Sequence, residues 1–263
     1  MKIFVIKVGT ASVLPEVLNK LARICKKLQN AGIMPIIISS GAVGFGKKFL
    51  SFEHLTLTRK QALASIGQPK VMQLYTEIFE KEEILVSQLL LGCNIINDRK
   101  QYFNAKNSIL ELLQMQVVPI INENDAIVVQ ELKFGDNDRL SAFIAEMVDA
   151  DSLIILTDVD GLYTEHPSNP TAVLIPKVED FDALNIADLG STGTNSSTGG
   201  MLSKLVAAEY ATAASIDTWI LHAEHTDRIL DISKGKSVVA TNFVAQEKDA
   251  SFVNDVELMI NKQ

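Results

Sequence analysis

Short runs of apolar and β-branched residues recur along the chain, and stretches with helical spacing separate several of them. The runs do not alternate with polar residues, as Ile36, Ile37 and Ile38 illustrate. Unbroken runs of this kind are typical of strands that are buried on both faces. Because such runs are interleaved with helical stretches, the pattern predicts a parallel α/β sheet. The predicted strands cover residues 3–8, 34–39, 83–90, 117–121, 153–157 and 218–221.

The first predicted helix lies between the first two strands. Val17, Leu21 and Leu28 recur at helical spacing after Pro15, and Gly32 follows the last of them. Proline favours the first turn of a helix, and glycine favours the position just beyond its end. Further helices are predicted over residues 105–115, 139–148 and 201–215.

Small and polar residues gather where four of the predicted strands end. These segments are residues 9–10, 39–42, 122–125 and 158–161. In open α/β sheets, ligands bind beyond the carboxyl ends of the strands, so the four segments are expected to converge on one crevice. With no linker rich in Pro, Gly or Ser, residues 1–263 are predicted to form a single domain. Its continuous sheet has two lobes divided near Ala150.

Composition and charge narrow the classes of ligand. The chain has 263 residues, is 47% hydrophobic and 21% charged, and carries a formal net charge of -8. This composition indicates an ordinary globular protein, and the negative charge argues against a nucleic-acid partner, since phosphate backbones are bound by clustered cations. No apolar run approaches the ~18 residues of a membrane helix. We therefore expect a cytoplasmic protein without a membrane partner, in which any anionic ligand meets locally placed cations.

Two loops that combine glycine with lysine stand far apart in the sequence. Lys7 precedes Gly9 after the first strand, and Gly199 and Gly200 precede Lys204 at the start of a late helix. Glycine lets backbone N–H groups approach an anion, a helix N-terminus adds a favourable dipole, and lysine supplies full charge. The pair predicts phosphate bound from two sides.

A third loop offers an alternative phosphate site. The segment from Gly41 to Lys47 follows a strand and fits the P-loop spacing G-x-x-x-x-G-K. The next residue is Lys48, where that motif needs a Ser or Thr hydroxyl for Mg²⁺. The missing hydroxyl argues against a P-loop nucleotidase, which stays open as a competing hypothesis under which ATP hydrolysis would not depend on a second substrate.

Taken together, the loops resemble those of the amino acid kinase family. The matching segments are residues 7–10, 39–43, 121–126, 134–138, 157–158, 161–164 and 193–204. The resemblance implies a three-layer αβα sandwich around a mainly parallel sheet. It also implies ATP-dependent phosphorylation of a carboxylate, with Mg²⁺ required.

Two of these segments are similar to the branch of the family that acts on free L-glutamate. They are Asn-Glu-Asn-Asp at 122–125 and Gly-Asp-Asn-Asp at 135–138. The resemblance implies that the product is L-glutamyl 5-phosphate and that its formation is the first step of proline biosynthesis. It also implies that the protein is a homo-oligomer inhibited by proline. Many relatives carry a C-terminal PUA domain, and we expect none here because the chain ends where that domain would begin.

The resemblance also assigns site residues. It implies that residues 1–150 bind the acid substrate and that residues 151–263 bind the nucleotide, and it identifies no direct protein ligand for the metal. The catalytic residues would be Lys7, Lys204 and Asp138. The ATP-binding residues would be Lys7, Gly9, Thr157, Asp158, Thr198, Gly199, Gly200, Met201, Leu202, Ser203 and Lys204. The substrate-binding residues would be Ser40, Gly41, Ala42, Asp125, Asp136 and Asn137.

The expected reaction needs no general base. A glutamate side chain has a pKa near ~4.3, so the attacking oxygen is already ionised at neutral pH. The main difficulty is repulsion between a carboxylate and a polyphosphate, which fixed cations and Mg²⁺ must offset. Alternatives within the same fold are kinases of acetylglutamate or aspartate and a noncatalytic sensor of nucleotide or amino acid. A further interpretation, compatible with catalysis, is that Asp136 or Asp138 caps the helix that runs from Arg139.

Overall fold

The computed structural model describes residues 1–96, 98–127, 137–181, 184 and 200–247. These residues form one sheet of eight strands. All six predicted strands are confirmed, with ends shifted by one to three residues. The short strands β6 and β8 were not predicted, because two or three residues are too few to show a period. The strands are β1 Lys2–Val8, β2 Ile33–Ser39, β3 Val86–Leu91, β4 Val118–Glu123, β5 Ser152–Thr157, β6 Lys177–Val178, β7 Asp217–His222 and β8 Thr241–Phe243.

The order of the strands is β3-β4-β2-β1-β5-β7-β8-β6. Strands β3, β4, β2, β1, β5 and β7 are mutually parallel, whereas β8 runs antiparallel to β7 and pairs in parallel with β6. The first strand lies between β2 and β5, where Lys7 is in register with Ile38 and Ile155. The carboxyl ends of six neighbouring strands therefore meet at one edge of the sheet.

Helices connect the strands. The four predicted helices are confirmed as α1, α4, α5 and α6, while α2, α3 and α7 were not predicted. They are α1 Pro15–Asn30, α2 Ala42–Gly46, α3 Leu57–Phe79, α4 Arg99–Gln114, α5 Asn137–Met147, α6 Met201–Ala213 and α7 Arg228–Ile232.

Helix α4 begins six residues before its predicted start, at Arg99 rather than at 105. The reason is a side-chain cap, in which Asp98 accepts hydrogen bonds from the backbone N–H groups of Lys100 and Gln101, each at 3.0 Å. A capping carboxylate satisfies N–H groups that have no partner inside the helix, so it stabilises a polar first turn that shows no apolar period.

Two helical layers cover the sheet, which confirms the three-layer αβα architecture. On one face, Phe4, Ile6 and Val8 of β1 belong to a core that includes residues of α1, α3 and α7. On the other face, Ile3 and Val5 belong to a core that includes residues of α4, α5 and α6. Successive residues of a strand point to opposite faces, so one unbroken apolar strand supplies both cores.

Helices α2 and α3 pack backbone against backbone through two glycines. A Cβ atom on Gly46 would lie 2.0 Å from the carbonyl oxygen of Leu63, and one on Gly67 would lie 1.8 Å from that of Ala42. No side chain fits at either position. The contact holds α3 directly behind the loop that follows β2.

Candidate active site

One buried carboxylate joins two lysines from remote parts of the chain. Lys7 at the end of β1 and Lys204 in the first turn of α6 place their Nζ atoms 2.5 Å and 3.2 Å from the two carboxylate oxygens of Asp138. Asp138 is fully buried, and each lysine is only 6% exposed. The structure therefore brings together the three residues that the resemblance assigned to catalysis.

The surroundings of Asp138 favour its ionised form. Burial by itself would raise the pKa of this carboxyl group. The charges of Lys7 and Lys204 and a hydrogen bond from the Ser203 hydroxyl, with Oγ 2.8 Å from Oδ2, outweigh burial and hold the pKa below its usual range. Both oxygens of Asp138 thus face cationic or hydrogen-bonding partners, as an orienting anion requires.

Asp138 lies in the first turn of α5. Its backbone carbonyl accepts a hydrogen bond from the Ser141 hydroxyl. Its side chain reaches the two lysines. The first turn of α5 therefore places Asp138 between β1 and α6.

A group of buried amides and hydroxyls lies beside this centre. The side-chain nitrogen of Asn137 is 2.8 Å from the Ser39 carbonyl oxygen, 2.8 Å from Ser40 Oγ and 2.9 Å from Asn122 Oδ1. The oxygen of the same Asn137 amide is buried and has no hydrogen-bond partner among the described residues. Asn137 and Asp138 are adjacent, so a single turn of α5 contributes to both groups.

The loop after β2 turns sharply at Gly41. Gly41 has a φ of 100°, in the left-handed region that glycine adopts without strain. Ser40 and Ala42, on either side of it, are buried at the start of α2. Asp125 lies half-buried in the turn after β4, where its backbone N–H donates to the Glu123 carbonyl.

The residues predicted to bind ATP lie at the ends of β1 and β5 and at the start of α6. A Cβ atom on Gly9 would lie 3.8 Å from Lys7 Nζ, so Gly9 borders the first lysine. The Thr157 hydroxyl donates to Asp158 Oδ1 at 3.0 Å. Gly200 caps α6, and Met201, Leu202 and Ser203 form its first turn with Lys204.

Three predicted site residues, Asp136, Thr198 and Gly199, lie outside the described residues. The sequence also gave no signal for Gln68, a buried residue of α3 whose side chain bonds to Asn122. A lone glutamine in a stretch without a clear helical period carries no motif that would single it out.

The structure gives the P-loop glycines and lysines other positions. Gly46 packs against the backbone of Leu63. Lys47 and Lys48 are exposed, and Lys48 Nζ lies 4.2 Å from the ring centroid of Phe45. The spacing of this segment therefore reflects the close packing of α2 on α3 and not a phosphate cradle.

Within the described ranges, no group of three or more His, Cys, Asp or Glu side chains is arranged to hold a metal ion. Asp138 is already engaged by Lys7 and Lys204. This donor set fits a Mg²⁺ ion held mainly by substrate phosphates, which is how proteins commonly bind that ion.

Among the described residues, no helix has the length and apolar character needed to cross a membrane.

Comparison with known proteins agrees with this arrangement. The model of the amino acid kinase family matches residues 2–222. The chain belongs to the amino acid kinase family. The matched residues include Lys7, Asp138 and Lys204, which meet in the structure.

Individual relatives are similar over most of the chain. A glutamate 5-kinase of Desulfitobacterium hafniense is 40% identical over 250 residues, covering 91% of this chain and 67% of that protein. A glutamate 5-kinase of Haemophilus influenzae is 36% identical over 258 residues, covering 94% and 70%. Among solved structures, carbamate kinase from Giardia lamblia bound to AMP-PNP superposes with a TM-score of 0.67 at 19% identity, covering 94% of this chain and 99% of that one. This last similarity supports the fold alone.

Proposed function

We propose that this member of the amino acid kinase family transfers the γ-phosphoryl group of ATP to the side-chain carboxylate of L-glutamate. The products are L-glutamyl 5-phosphate and ADP, and the reaction begins proline biosynthesis. The observation that carries the proposal is the pair of lysines held on Asp138 at the carboxyl edge of the sheet. The similarity to glutamate 5-kinases over more than nine-tenths of the chain supports the choice of acid.

In the proposed reaction a carboxylate oxygen of glutamate attacks the γ-phosphorus while the bond to the β–γ bridging oxygen breaks. Lys7 and Lys204 approach the transferring group from opposite parts of the chain and offset its negative charge. Asp138 fixes the positions of both ammonium groups. It is not the base, because its carboxylate is committed to the lysines and the attacking carboxylate is itself already ionised.

The acid substrate would bind beside Ser40, Gly41, Ala42, Asp125 and Asn137. Glutamate presents one ammonium and two carboxylate groups, which call for an anionic partner and several neutral donors. Asp125 would hold the ammonium group. The Ser40 hydroxyl and the backbone N–H groups of the Gly41 turn would bind a carboxylate.

The nucleotide would bind on the opposite side, along Gly9, Thr157, Asp158 and the first turn of α6. A helix N-terminus favours phosphate, and Lys204 lies in that first turn. Mg²⁺, held by the phosphates, would lower the negative charge that glutamate must approach. Apart from Lys7 and Gly9, the nucleotide-binding residues follow Ala150 and the acid-binding residues precede it.

Three finer features belong to the proposal. Assembly into a homo-oligomer and inhibition by proline come from the family resemblance, and a cytoplasmic location is the expectation from the sequence. Proline carries a carboxylate and an ammonium group, as glutamate does, and the acid-binding residues already offer partners for both.

The proposal is tested by trapping the acyl phosphate. The protein is incubated with ATP, Mg²⁺ and hydroxylamine plus L-glutamate, N-acetylglutamate or L-aspartate, and the hydroxamate is measured by its colour. We expect hydroxamate with L-glutamate only. Hydroxamate from acetylglutamate or aspartate would identify a different acid kinase, amino-acid-independent release of ADP would indicate a nucleotidase, and binding without turnover would indicate a sensor.

A further inference from the structure

A chain of buried side-chain amides runs from helix α3 to the loop after β2. Gln68 Oε1 accepts a hydrogen bond from Asn122 Nδ2 at 2.9 Å, and Asn122 Oδ1 accepts one from Asn137 Nδ2 at 2.9 Å. Asn137 Nδ2 lies 2.8 Å from Ser40 Oγ. Three side-chain hydrogen bonds therefore link α3, β4, α5 and the proposed acid-binding loop.

Backbone groups determine which way each amide faces. The Ser39 carbonyl can only accept, so the end of the Asn137 amide beside it is the nitrogen. The Glu123 N–H can only donate, at 2.9 Å, so the end of the Asn122 amide beside it is the oxygen. The nitrogen of Asn122 consequently faces Gln68, which must present its oxygen.

Gln68 is the acceptor that the structure gives to the buried nitrogen of Asn122. Gln68 is 9% exposed and Asn122 is 2% exposed, so water has little access to replace a lost bond. A buried donor without a partner is costly, and its side chain turns or shifts to find another. Loss of the Gln68 oxygen would therefore disturb Asn122 and, through it, Asn137.

The backbone of α3 is held against the same loop. Gly67 precedes Gln68, and a Cβ atom on Gly67 would lie 1.8 Å from the Ala42 carbonyl oxygen. This contact is independent of the amide chain. The contact fixes the position of the α3 backbone from which the Gln68 side chain reaches Asn122.

We infer that Gln68 is a positioning residue for the acid substrate, acting through Asn122 on Asn137 and Ser40. The inference rests on the proposed function. Because Ser40 Oγ accepts from Asn137, the Ser40 hydrogen is left to donate to a substrate carboxylate. The amide chain thereby fixes the hydroxyl donor that the proposed acid-binding loop presents to glutamate.

The test compares Gln68→Met with Gln68→Glu. Methionine has a similar length and helix propensity but no amide oxygen, whereas glutamate keeps an acceptor oxygen. In the hydroxamate assay we expect Gln68→Met to raise the KM for glutamate about tenfold while the KM for ATP stays within about twofold, as for loss of one buried hydrogen bond. Gln68→Glu should restore the KM for glutamate to within about threefold of the unsubstituted protein.

Gln73→Met is the matched control, because Gln73 is an exposed residue of the same helix that bonds to Lys70 and Glu77. It should leave both KM values unchanged. If Gln68→Met does not fold, Gln68→Asn takes its place with the same expected result, since it keeps the amide but retracts the oxygen by one methylene. Circular dichroism verifies the fold of each variant.

The possible failures are distinct. If the unsubstituted protein gives no hydroxamate with glutamate, the proposed function is wrong. If that protein is active and the Gln68 variant leaves the KM for glutamate unchanged, or changes both KM values alike, the inference about Gln68 is overturned. A Gln68→Glu variant as impaired as Gln68→Met would also overturn it.

Discussion

At the scale of single residues, the centre consists of one anion shared by two cations. Asp138 is fully buried between Lys7 and Lys204, so bulk solvent has little access to its carboxylate. Interactions among buried charges are stronger than those at a surface, and removal of one member leaves the others uncompensated. Turnover and stability should therefore both respond to changes at these three residues.

The two buried lysines should matter for turnover and the exposed lysine of the P-loop-like segment should not. We expect Lys7→Ala and Lys204→Ala each to lower kcat at least about a hundredfold, because each removes a fixed charge that stabilises the transition state. Lys47→Ala is the matched control, since Lys47 is exposed. An inactive Lys47→Ala with an active Lys7→Ala would reverse this map of the site. Hydroxamate formation measures all three.

Replacement of Asp138 should cost stability in a pH-dependent way. Asp138→Asn removes the carboxylate charge that two buried ammonium groups share, and we expect the free energy of unfolding to fall by about 3–5 kcal/mol at neutral pH. The folded-state pKa of Asp138 lies below its unfolded value, so its contribution is complete above about pH 5 and is lost as the pH falls through the folded pKa.

Urea unfolding of both proteins from pH 3 to pH 8 measures this difference. It should be constant from about pH 5 to 8 and shrink below about pH 4. A difference that grew as the pH fell would mean that Asp138 is protonated in the folded protein.

At the scale of elements, the proposed acid-binding loop owes its position to the packing of α2 on α3. The two helices approach so closely that glycine is needed at Gly46 and Gly67. The loop between β2 and α2 carries Ser40 and Gly41, so a shift of α2 would move groups that are proposed to bind the substrate.

Two glycines of α2 separate this packing effect from helix propensity. Gly46→Ala would place a Cβ atom 2.0 Å from the Leu63 carbonyl oxygen, whereas Gly44→Ala would place one 3.6 Å from its nearest neighbour, the methyl group of Thr10. We expect Gly46→Ala to lower the free energy of unfolding by about 1–3 kcal/mol and to raise the KM for glutamate. Gly44→Ala should be neutral or slightly stabilising. Equal effects of the two changes would argue against the close contact.

At the scale of the whole molecule, one sheet connects the two ends of the described chain. Strand β1 pairs with β2 on one side and with β5 on the other. The proposed catalytic centre spans the same junction, since Lys7 and Asp138 precede Ala150 and Lys204 follows it. The two sides are thus joined by backbone hydrogen bonds and by buried charge.

This continuity should make unfolding a single cooperative transition. Trp219, the single tryptophan of the chain, lies on β7, so its fluorescence reports the part of the sheet after Ala150, while far-UV circular dichroism reports all helices and strands. We expect the two signals to give the same midpoint in urea. Separate midpoints would show that the sheet divides into independently unfolding parts.

The sequence by itself predicted the six longer strands, four of the helices and the candidate catalytic residues. Unbroken apolar runs identified the six longer strands, and the polar segments after them indicated the edge where ligands are expected to bind. Lys7, Lys204 and Asp138 were identified through motifs that family resemblance makes recognisable. These features could be predicted because each is local, within a strand, a turn or a short motif.

Tertiary structure alone decided the features that depend on contacts between distant residues. Helix α3 went unpredicted because Gly67 and Pro69 interrupt its interior and its apolar stripe is weak. The bond between Gln68 and Asn122 joins positions 54 residues apart, and no periodicity records such a pair. The fit of Gly46 and Gly67 likewise exists only once the helices meet. Local patterns specify elements, whereas the distances between side chains of different elements arise only when those elements pack.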